Sequence, residues 1–169
     1  VSKSLKENNQ IFHSLRLCMG LIGKIIVSLM PITPKFLVKR IAGRYVAGSN
    51  IESAIDLMKI MSKENTCFTI DVLGEEINDI DEARYFMNEY SRVLDLIVSN
   101  QIDANISLKP TALGLLIDKE VALSNIEEIL EKAALNDIFV RLDMEDHRVT
   151  KETIEVVLEM QKKGFQNIG

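Results

Sequence analysis

The sequence has few of the residues from which metal sites and disulfide frameworks are built. Its 169 residues include only two cysteines and two histidines. Cys18 and Cys67 lie far apart, and neither belongs to a CxxC pair, so we expect two reduced thiols. Because His13 and His147 form no cluster with the cysteines, a zinc site is not expected.

Motifs that bind phosphate or supply a nucleophile are also missing. No GxGxxG follows a predicted strand and no GxxxxGK[ST] occurs, which removes the common nucleotide-phosphate loops. A GxSxG segment is absent, and two distant histidines do not complete a Ser-His-Asp set. The net charge of −5 argues against nucleic acid as the main partner, since a phosphate-binding surface needs clustered Lys and Arg.

A nearly apolar run at residues 17–30, interrupted by Lys24, is too short to cross a bilayer, which takes about 20 apolar residues. No signal-peptide cleavage site follows it. Two interpretations remain: a helix packed on the rest of the protein, or an amphipathic segment on a membrane surface. The basic residues that would complement such a segment are Lys24, Lys35, Lys39 and Arg40. We expect residues 1–43 to form an N-terminal helical segment, with a second, basic helix over 34–41.

Beyond residue 48 the hydrophobic pattern alternates between strands and helices. Segments rich in β-forming residues lie at 67–74, 104–109 and 138–145, and a segment with helical spacing follows each of them. Residues 167–168 are typical of the start of a fourth strand. The repeat of about 35 residues suits a (β/α)8 barrel or an open doubly wound sheet, both built on parallel strands.

Capping residues and helical spacing predict the helix ends and their buried faces. We predict a capping box at 49–52 with Ser49 as the N-cap, a helix start at Asp79, N-caps at Asp118 and Thr150, and a stop at Gly164. The residues predicted to face inward, helix by helix, are Ile51, Ile55 and Met58; Ala83, Phe86, Tyr90, Val93 and Ile97; Val121, Ala122, Ile126, Ile129, Leu130 and Ala133; Ile154, Val157 and Leu158.

Each predicted strand has one apolar and one polar face, because side chains alternate across a strand. The apolar faces hold Phe68, Ile70 and Val72; Ile106 and Leu108; Val140, Leu142 and Met144. The polar faces hold Thr69 and Asp71; Asn105, Ser107 and Lys109; Arg141, Asp143 and Glu145. Helices cover both faces of an open doubly wound sheet, whose strands are therefore apolar throughout. Two unlike faces favour a barrel, with one face under the helices and the other inside.

Charged residues inside a barrel are costly unless they are paired or face a ligand. One interpretation is a buried ionic network, with Asp71, Asp143 and Glu145 against Lys109 and Arg141. The other is a site at the carboxyl ends of the strands, where barrel enzymes keep their chemistry, and three successive strands ending in charge favour it. Lys109 could attract a carboxylate or the electron-rich part of a flavin, and Asp143 could orient a cation or contact an amine. The pattern alone predicts a barrel with a charged mouth and does not identify a reaction.

Four segments resemble the proline dehydrogenase family, including the matching domain of its bifunctional members. They are RYVAG (44–48), FTIDVLGE (68–75), ISLKPTALG (106–114) and FVRLDMED (139–146). They occur in the family's order and spacing, on the strands predicted above. The resemblance runs from Arg44 to Gly169. It implies an α/β fold that is a partial (β/α)8 TIM-type barrel over 44–169, with three βα units and the start of a fourth strand, preceded by the N-terminal helices.

The resemblance also implies an activity and a site. Proteins of this family bind FAD, oxidise L-proline to Δ1-pyrroline-5-carboxylate by hydride transfer to the flavin, and pass electrons to a membrane quinone. By position, Asp143 would be catalytic, Lys109 would bind the substrate, and Met144 would contact FAD. The expected location is the cytoplasm, peripheral on the inner face of the cell membrane, and the N-terminal apolar and basic segments fit that location.

One departure from the family pattern limits this expectation. The family's glutamine on the fourth strand, its flavin-side arginine on the fifth and its paired carboxylate-binding arginines all lie beyond these 169 residues. We therefore expect a fragment that is inactive alone and that would pair with a C-terminal half or self-associate through open strand edges. Two alternatives stay open: a non-catalytic truncated or split barrel that assembles with itself or a partner, and another (β/α)8 enzyme, such as a phosphate-binding aldolase type.

Overall fold

The structure, a computed structural model, describes residues 50–74 and 77–169 together with residues 23, 34, 43 and 46–48. Asn50–Gly169 form one of the two units into which the chain divides, and Val1–Ser49 form the other. The helices predicted within 1–43, the thiol at position 18 and the N-cap predicted at position 49 all fall outside the described residues.

Strands and helices alternate from residue 50 to the last residue. The helices are α1 (Ile51–Ser62), α2 (Ile80–Ser99), α3 (Lys119–Ala134) and α4 (Thr150–Lys162), and the strands are β1 (Phe68–Asp71), β2 (Ala104–Leu108) and β3 (Val140–Leu142). A short 3₁₀ helix, Pro110–Leu113, follows β2. The order of elements confirms the predicted α/β pattern, with strands shorter than the predicted segments.

The three strands form one parallel sheet in the order β1-β2-β3. Its register aligns Asp71 with Ser107, and Ser107 with Arg141, so the polar residues of neighbouring strands lie side by side. Val140 also makes a parallel bridge to Ile168, and its N–H donates to the carbonyl of Asn167 at 2.8 Å. This bridge lies where the start of a fourth strand was predicted, and the partial barrel stays a prediction.

The apolar face of the sheet packs into one core with α2, α3 and α4. Its central strand residues Ile106, Leu108 and Val140 are fully buried. The helix residues that are fully buried in the same core include Tyr90, Leu94, Ile126, Leu130, Val156 and Met160. Since burial of each large apolar side chain contributes about 1.5–3 kcal/mol relative to exposure, this face supplies much of the stability of the fold.

Two helix N-termini and one C-terminus match the prediction. Asp79 caps α2, and the Asp118 carboxylate accepts from the backbone N–H groups of Glu120 at 3.0 Å and Val121 at 3.2 Å. Gly164 follows α4 with a φ of 106°, a left-handed conformation that glycine adopts without strain. These helices therefore begin and end where short-range chemistry predicts.

Two predicted caps are wrong. The N-cap of α1 is Asn50, one residue later than predicted, and its side chain accepts from the Ser53 N–H at 3.0 Å. The N-cap of α4 is Val149, which makes no side-chain capping bond. Thr150 is already helical, and its hydroxyl donates to the carbonyl of Asp146 at 2.8 Å. The hydroxyl is thus hydrogen-bonded to the preceding turn and does not cap the helix.

The predicted inward face of α4 is also wrong, as is one strand position. Ile154 and Leu158 are half-exposed, whereas the buried residues of the helix are Thr153, Val156 and Met160. Two sets of residues, offset by one position along α4, both have helical spacing. The prediction took the more apolar set. Met144 was predicted on the apolar face of the third strand but is 53% exposed, because β3 ends at residue 142 and the alternation ends with it.

Candidate active site at the carboxyl ends of the strands

An ion pair joins the carboxyl ends of β1 and β2. Asp71 is the last residue of β1, and Lys109 directly follows β2. The Lys109 ammonium donates to Asp71 Oδ2. The lysine side chain is 17% exposed and that of the aspartate 28%, so the pair is shielded but open to a ligand from the rim. Burying such a pair costs less free energy of desolvation than burying either charge alone at the same place.

The hydroxyl of Tyr90, on α2, lies beneath this pair. Tyr90 Oη is 2.8 Å from the Ser107 carbonyl and 3.1 Å from Asp71 Oδ1, and the Val72 N–H donates to it at 3.4 Å. Burial, and then the negative charge of Asp71, raise the pKa of Tyr90 far above its ordinary value, so the phenol remains protonated. The side chain thus connects the helix core to the polar face of the sheet.

A second cluster joins β2 to β3. The Ser107 hydroxyl donates to Asp143 Oδ1, and Arg141 Nε donates to the same oxygen at 2.9 Å. A second guanidinium nitrogen of Arg141 donates to Ser107 Oγ at 3.0 Å, which closes a three-membered network. Partial burial acts to raise the pKa of Asp143, but the hydrogen bonds from Ser107 and Arg141 outweigh it and lower the pKa. Asp143 is therefore a carboxylate at neutral pH.

Glu145 connects the segments that follow β2 and β3. Its carboxylate accepts the Thr111 N–H at 3.0 Å with one oxygen and the Thr111 hydroxyl with the other. Thr111 lies in the first turn of the 3₁₀ helix that begins one residue after Lys109. The contact therefore fixes the backbone immediately beyond the lysine.

The structure brings together most of the predicted polar face. Asp71, Lys109 and Asp143 lie on one side of the sheet at its carboxyl edge, with Arg141 in the same network. Met144 follows Asp143 at the rim, where its side chain is half-exposed and outside the hydrogen-bonded network. Because each cation of this face has an acidic partner, the arrangement satisfies the ionic-network interpretation as well as the site interpretation.

Sequence reasoning missed the role of Tyr90, which it placed only among the inward-facing residues of its helix. A tyrosine at a buried helix position is itself a signal, because a buried phenol nearly always finds a hydrogen-bond partner. The partners of Thr111 and Ser107 were also missed, since both depend on the distance between strands that only the fold determines.

The described part of the chain offers neither a metal site nor a helix that could span a membrane. No group of three His, Cys, Asp or Glu side chains there has the geometry of a metal site. None of the helices described is both long enough and apolar enough to cross a membrane. Cys67 is a free, exposed thiol.

Comparison with known proteins identifies the chain's relatives. Residues 54–169 match the family model described as proline dehydrogenase. Proline dehydrogenase 1 of Bacillus subtilis (strain 168) is 34% identical over 128 residues, which are 76% of this chain and 42% of that protein. Proline dehydrogenase of Deinococcus radiodurans is 30% identical over 118 residues, 68% of this chain and 38% of that protein. The chain thus spans less than half the length of these relatives.

Solved structures give the same fold. A proline utilization A (PutA) protein from Bdellovibrio bacteriovorus, inactivated by N-propargylglycine, matches with a TM-score of 0.67 at 23% identity, over 80% of this chain and 17% of that one. A bifunctional PutA protein matches with a TM-score of 0.60 at 20% identity, over 77% of this chain and 15% of that one. The family match covers more than half of the chain and includes all three strands with their polar face, and the chain therefore belongs to the proline dehydrogenase family.

Proposed function

We propose that these residues supply one part of the active site of an FAD-dependent proline dehydrogenase, which oxidises L-proline to Δ1-pyrroline-5-carboxylate. The observation that carries the proposal is the grouping of Asp71, Lys109 and Asp143 on one face at the carboxyl edge of the sheet, in a chain of this family. Parallel sheets and barrels present their chemistry at that edge. The fold we propose is the first part of a (β/α)8 barrel, with this polar face inside.

The donor chemistry of the rim fits a flavin and an amino-acid substrate. Lys109 and Arg141 provide cationic donors for the substrate carboxylate and for the electron-rich part of a flavin, and the exposed thioether of Met144 provides an apolar contact for a ring. FAD, when bound, supplies the acceptor for the hydride that leaves proline. Met144 is the residue we propose to contact it.

Lys109 and Asp143 have different proposed tasks. The Lys109 ammonium orients proline through its carboxylate and stabilises negative charge near the reacting centre. Asp143 stays ionised because Ser107 and Arg141 donate to it, so it can hold a cationic amine in place. The Asp71 carboxylate keeps Lys109 at the rim. Together these side chains would bind and orient proline from one side of the pocket.

The electron acceptor and the cellular location are further parts of the proposal. We propose a membrane quinone as acceptor, with the protein in the cytoplasm and on the inner face of the cell membrane. The basis is the apolar and basic composition of residues 1–43, which suits an interfacial segment. Retention of the purified protein on anionic vesicles, and its loss on deletion of residues 1–43, would test this location.

The central experiment compares two polypeptides. The first is residues 1–169 alone. The second, here called the joined protein, continues residues 1–169 into the part of B. subtilis proline dehydrogenase 1 that follows its matched stretch. We expect the joined protein to carry flavin absorbance and to reduce a dye with proline. Residues 1–169 alone should do neither, because the family's carboxylate-binding arginines come from later strands.

Two results would contradict this proposal. A joined protein that folds but remains colourless and inactive with proline would remove the flavin and proline assignment. A colourless, stable oligomer of residues 1–169 whose joined form also lacks activity would favour a non-catalytic assembly. Sizing chromatography with absorbance detection distinguishes the two results.

A further inference from the structure

We propose that Tyr90 is a positioning residue for the candidate site: its buried hydroxyl holds Asp71, and Asp71 in turn holds Lys109 at the rim. The inference rests on the proposed function, in which Lys109 binds the substrate. It extends that function from the rim into the helix core, since Tyr90 is a buried residue of α2.

The first support is the location of the hydroxyl. Tyr90 has no exposed surface, and its ring packs in the core with α3 and the apolar face of the sheet. Its Oη nevertheless reaches the polar side, at 3.1 Å from Asp71 Oδ1. Asp71 offers its other oxygen to Lys109. A continuous chain of contacts therefore runs from the buried phenol to the lysine.

The second support is where the β1–β2 ladder ends. β1 stops at Asp71, so the carbonyl of Ser107 and the N–H of Val72 lie at the end of the paired region. The Tyr90 hydroxyl bonds to both, at 2.8 Å and 3.4 Å. It thus satisfies backbone groups where the strands separate, beside the point at which Asp71 and Lys109 meet.

The third support is the protonation state. Burial and the charge of Asp71 both favour the neutral phenol, so its hydrogen stays available at neutral pH. One hydrogen faces three acceptors: the carbonyls of Ser107 and Val72, and Asp71 Oδ1. A hydrogen bond to a carboxylate is the stronger kind, and it favours one orientation of Asp71.

The chain offers a matched pair of tyrosines and a matched pair of lysines. Tyr85 lies on the same helix as Tyr90 but is 59% exposed. Lys132 is ion-paired like Lys109, with Asp95 at 2.7 Å, and its ammonium also donates to the carbonyl of Ser91 at 3.0 Å. Because Ser91 is on α2, the exposure of Lys132 reports general loosening of that helix.

The experiment measures the rate at which each lysine of residues 1–169 is acetylated by dilute acetic anhydride, which releases acetate, and the products are read peptide by peptide by mass spectrometry. We expect Tyr90→Phe to raise the rate constant at Lys109 at least threefold. Tyr85→Phe should leave it unchanged, and Lys132 should react at the same rate in all variants. A Lys109 rate equal to or below that of the unsubstituted protein would overturn the proposal. An equal rise at Lys132 would overturn it too, because it would mean general loosening.

A second variant covers the case in which Tyr90→Phe does not fold. Asp71→Asn keeps the tyrosine and the side-chain size but removes the charge that holds the lysine. We expect the same rise at Lys109, and an unchanged rate would break the proposed chain of contacts and overturn the proposal. Where both variants fold, the double variant should show no further rise, since the two residues act on Lys109 through one path. Additive rises would contradict that single path.

Acetylation needs neither proline nor flavin, so this test and the test of the proposed function can fail separately. An inactive joined protein would contradict the proposed function and leave the link from Tyr90 through Asp71 to Lys109 standing. Unchanged acetylation would contradict the positioning role and leave proline oxidation untouched.

Discussion

The two faces of the three-stranded sheet differ in what they contribute, although they share one backbone. On one face Ile106, Leu108 and Val140 are fully buried beneath the helices. On the other face the alternate residues are polar and meet in pairs, such as Asp71 with Lys109. The first face contributes free energy to folding. The second costs free energy that the pairing only offsets, and we propose that it is kept because it forms part of a binding or catalytic site.

The difference between the faces also explains why the polar pairs are not ordinary surface ion pairs. Lys163, directly after α4, and Glu127, on α3, form a more exposed pair at 2.6 Å, and surface pairs of this kind contribute about 0–1 kcal/mol. The Asp71–Lys109 pair is more shielded and is held from below by Tyr90. The following substitutions test this contrast, from the largest expected effect to the smallest.

Truncation on the apolar face should have the largest effect on stability. Leu108→Ala removes a side chain with no exposed surface, and we expect the free energy of unfolding to fall by about 2–5 kcal/mol. Leu158→Ala, the same substitution at a 50% exposed position of α4, should change it by less than about 0.5 kcal/mol. Urea denaturation of residues 1–169 measures both values. Equal losses would mean that the assigned core face is wrong.

Truncation on the polar face should reduce activity more than stability. Asp143→Ala should lower kcat/KM for proline in the joined protein by about 100-fold, or about 2.7 kcal/mol of transition-state stabilisation. Asp95→Ala, which removes an exposed carboxylate paired with Lys132, should change it less than twofold. Full activity of the Asp143 variant with flavin bound would leave that residue a merely structural role.

The loss of an N-cap shows how much a carboxylate with only a structural role contributes to the free energy of unfolding. Asp118→Ala removes the acceptor for two backbone N–H groups of α3 and should lower the free energy of unfolding by about 1 kcal/mol. Asp118→Asn keeps an accepting oxygen and should restore nearly all of it. Thermal unfolding of the three proteins gives the comparison. An Asn variant as unstable as the Ala variant would show that the negative charge matters more than the hydrogen bonds.

The smallest effect is the pH dependence that Asp143 contributes. The folded protein lowers the pKa of this group below its unfolded value, so its stabilisation is present above about pH 3.9, the ordinary value for Asp. The stabilisation is lost as the pH falls through the lowered pKa. The unsubstituted protein should therefore lose more stability in this acid range than Asp143→Asn does. Parallel denaturation curves for both proteins down to pH 3 would contradict the assigned hydrogen bonds from Ser107 and Arg141.

The sequence predicted the alternation of elements, the split of each strand into two faces and the meeting of Asp71, Lys109 and Asp143. These features depend on periodicity, which is local, and on the parallel order of the strands, which follows from the alternation of strands and helices along the chain. The caps at Asp79 and Asp118 were predictable for the same reason, since a cap involves neighbouring residues only.

Features that depend on the rotation of a helix about its axis, or on the distance between helices and strands, were not predictable from the sequence. The inward stripe of α4 contains Thr153, because packing rotated the helix away from the more apolar stripe with Ile154. The N-cap at Asn50 was displaced by one residue, a shift that composition does not resolve. Tyr90 was placed in the core correctly, but its contact with Asp71 depends on how far α2 lies from the strand ends.

The most direct test of the proposed site compares two ion-paired lysines in the joined protein. Lys109→Met removes the charge on the polar face, and Lys132→Met removes a charge on the helical surface. We predict that kcat/KM for proline falls at least about 100-fold for the first and less than twofold for the second, with both proteins folded and yellow. Equal kcat/KM values for the two variants would contradict the assignment of the polar face as the site of proline binding.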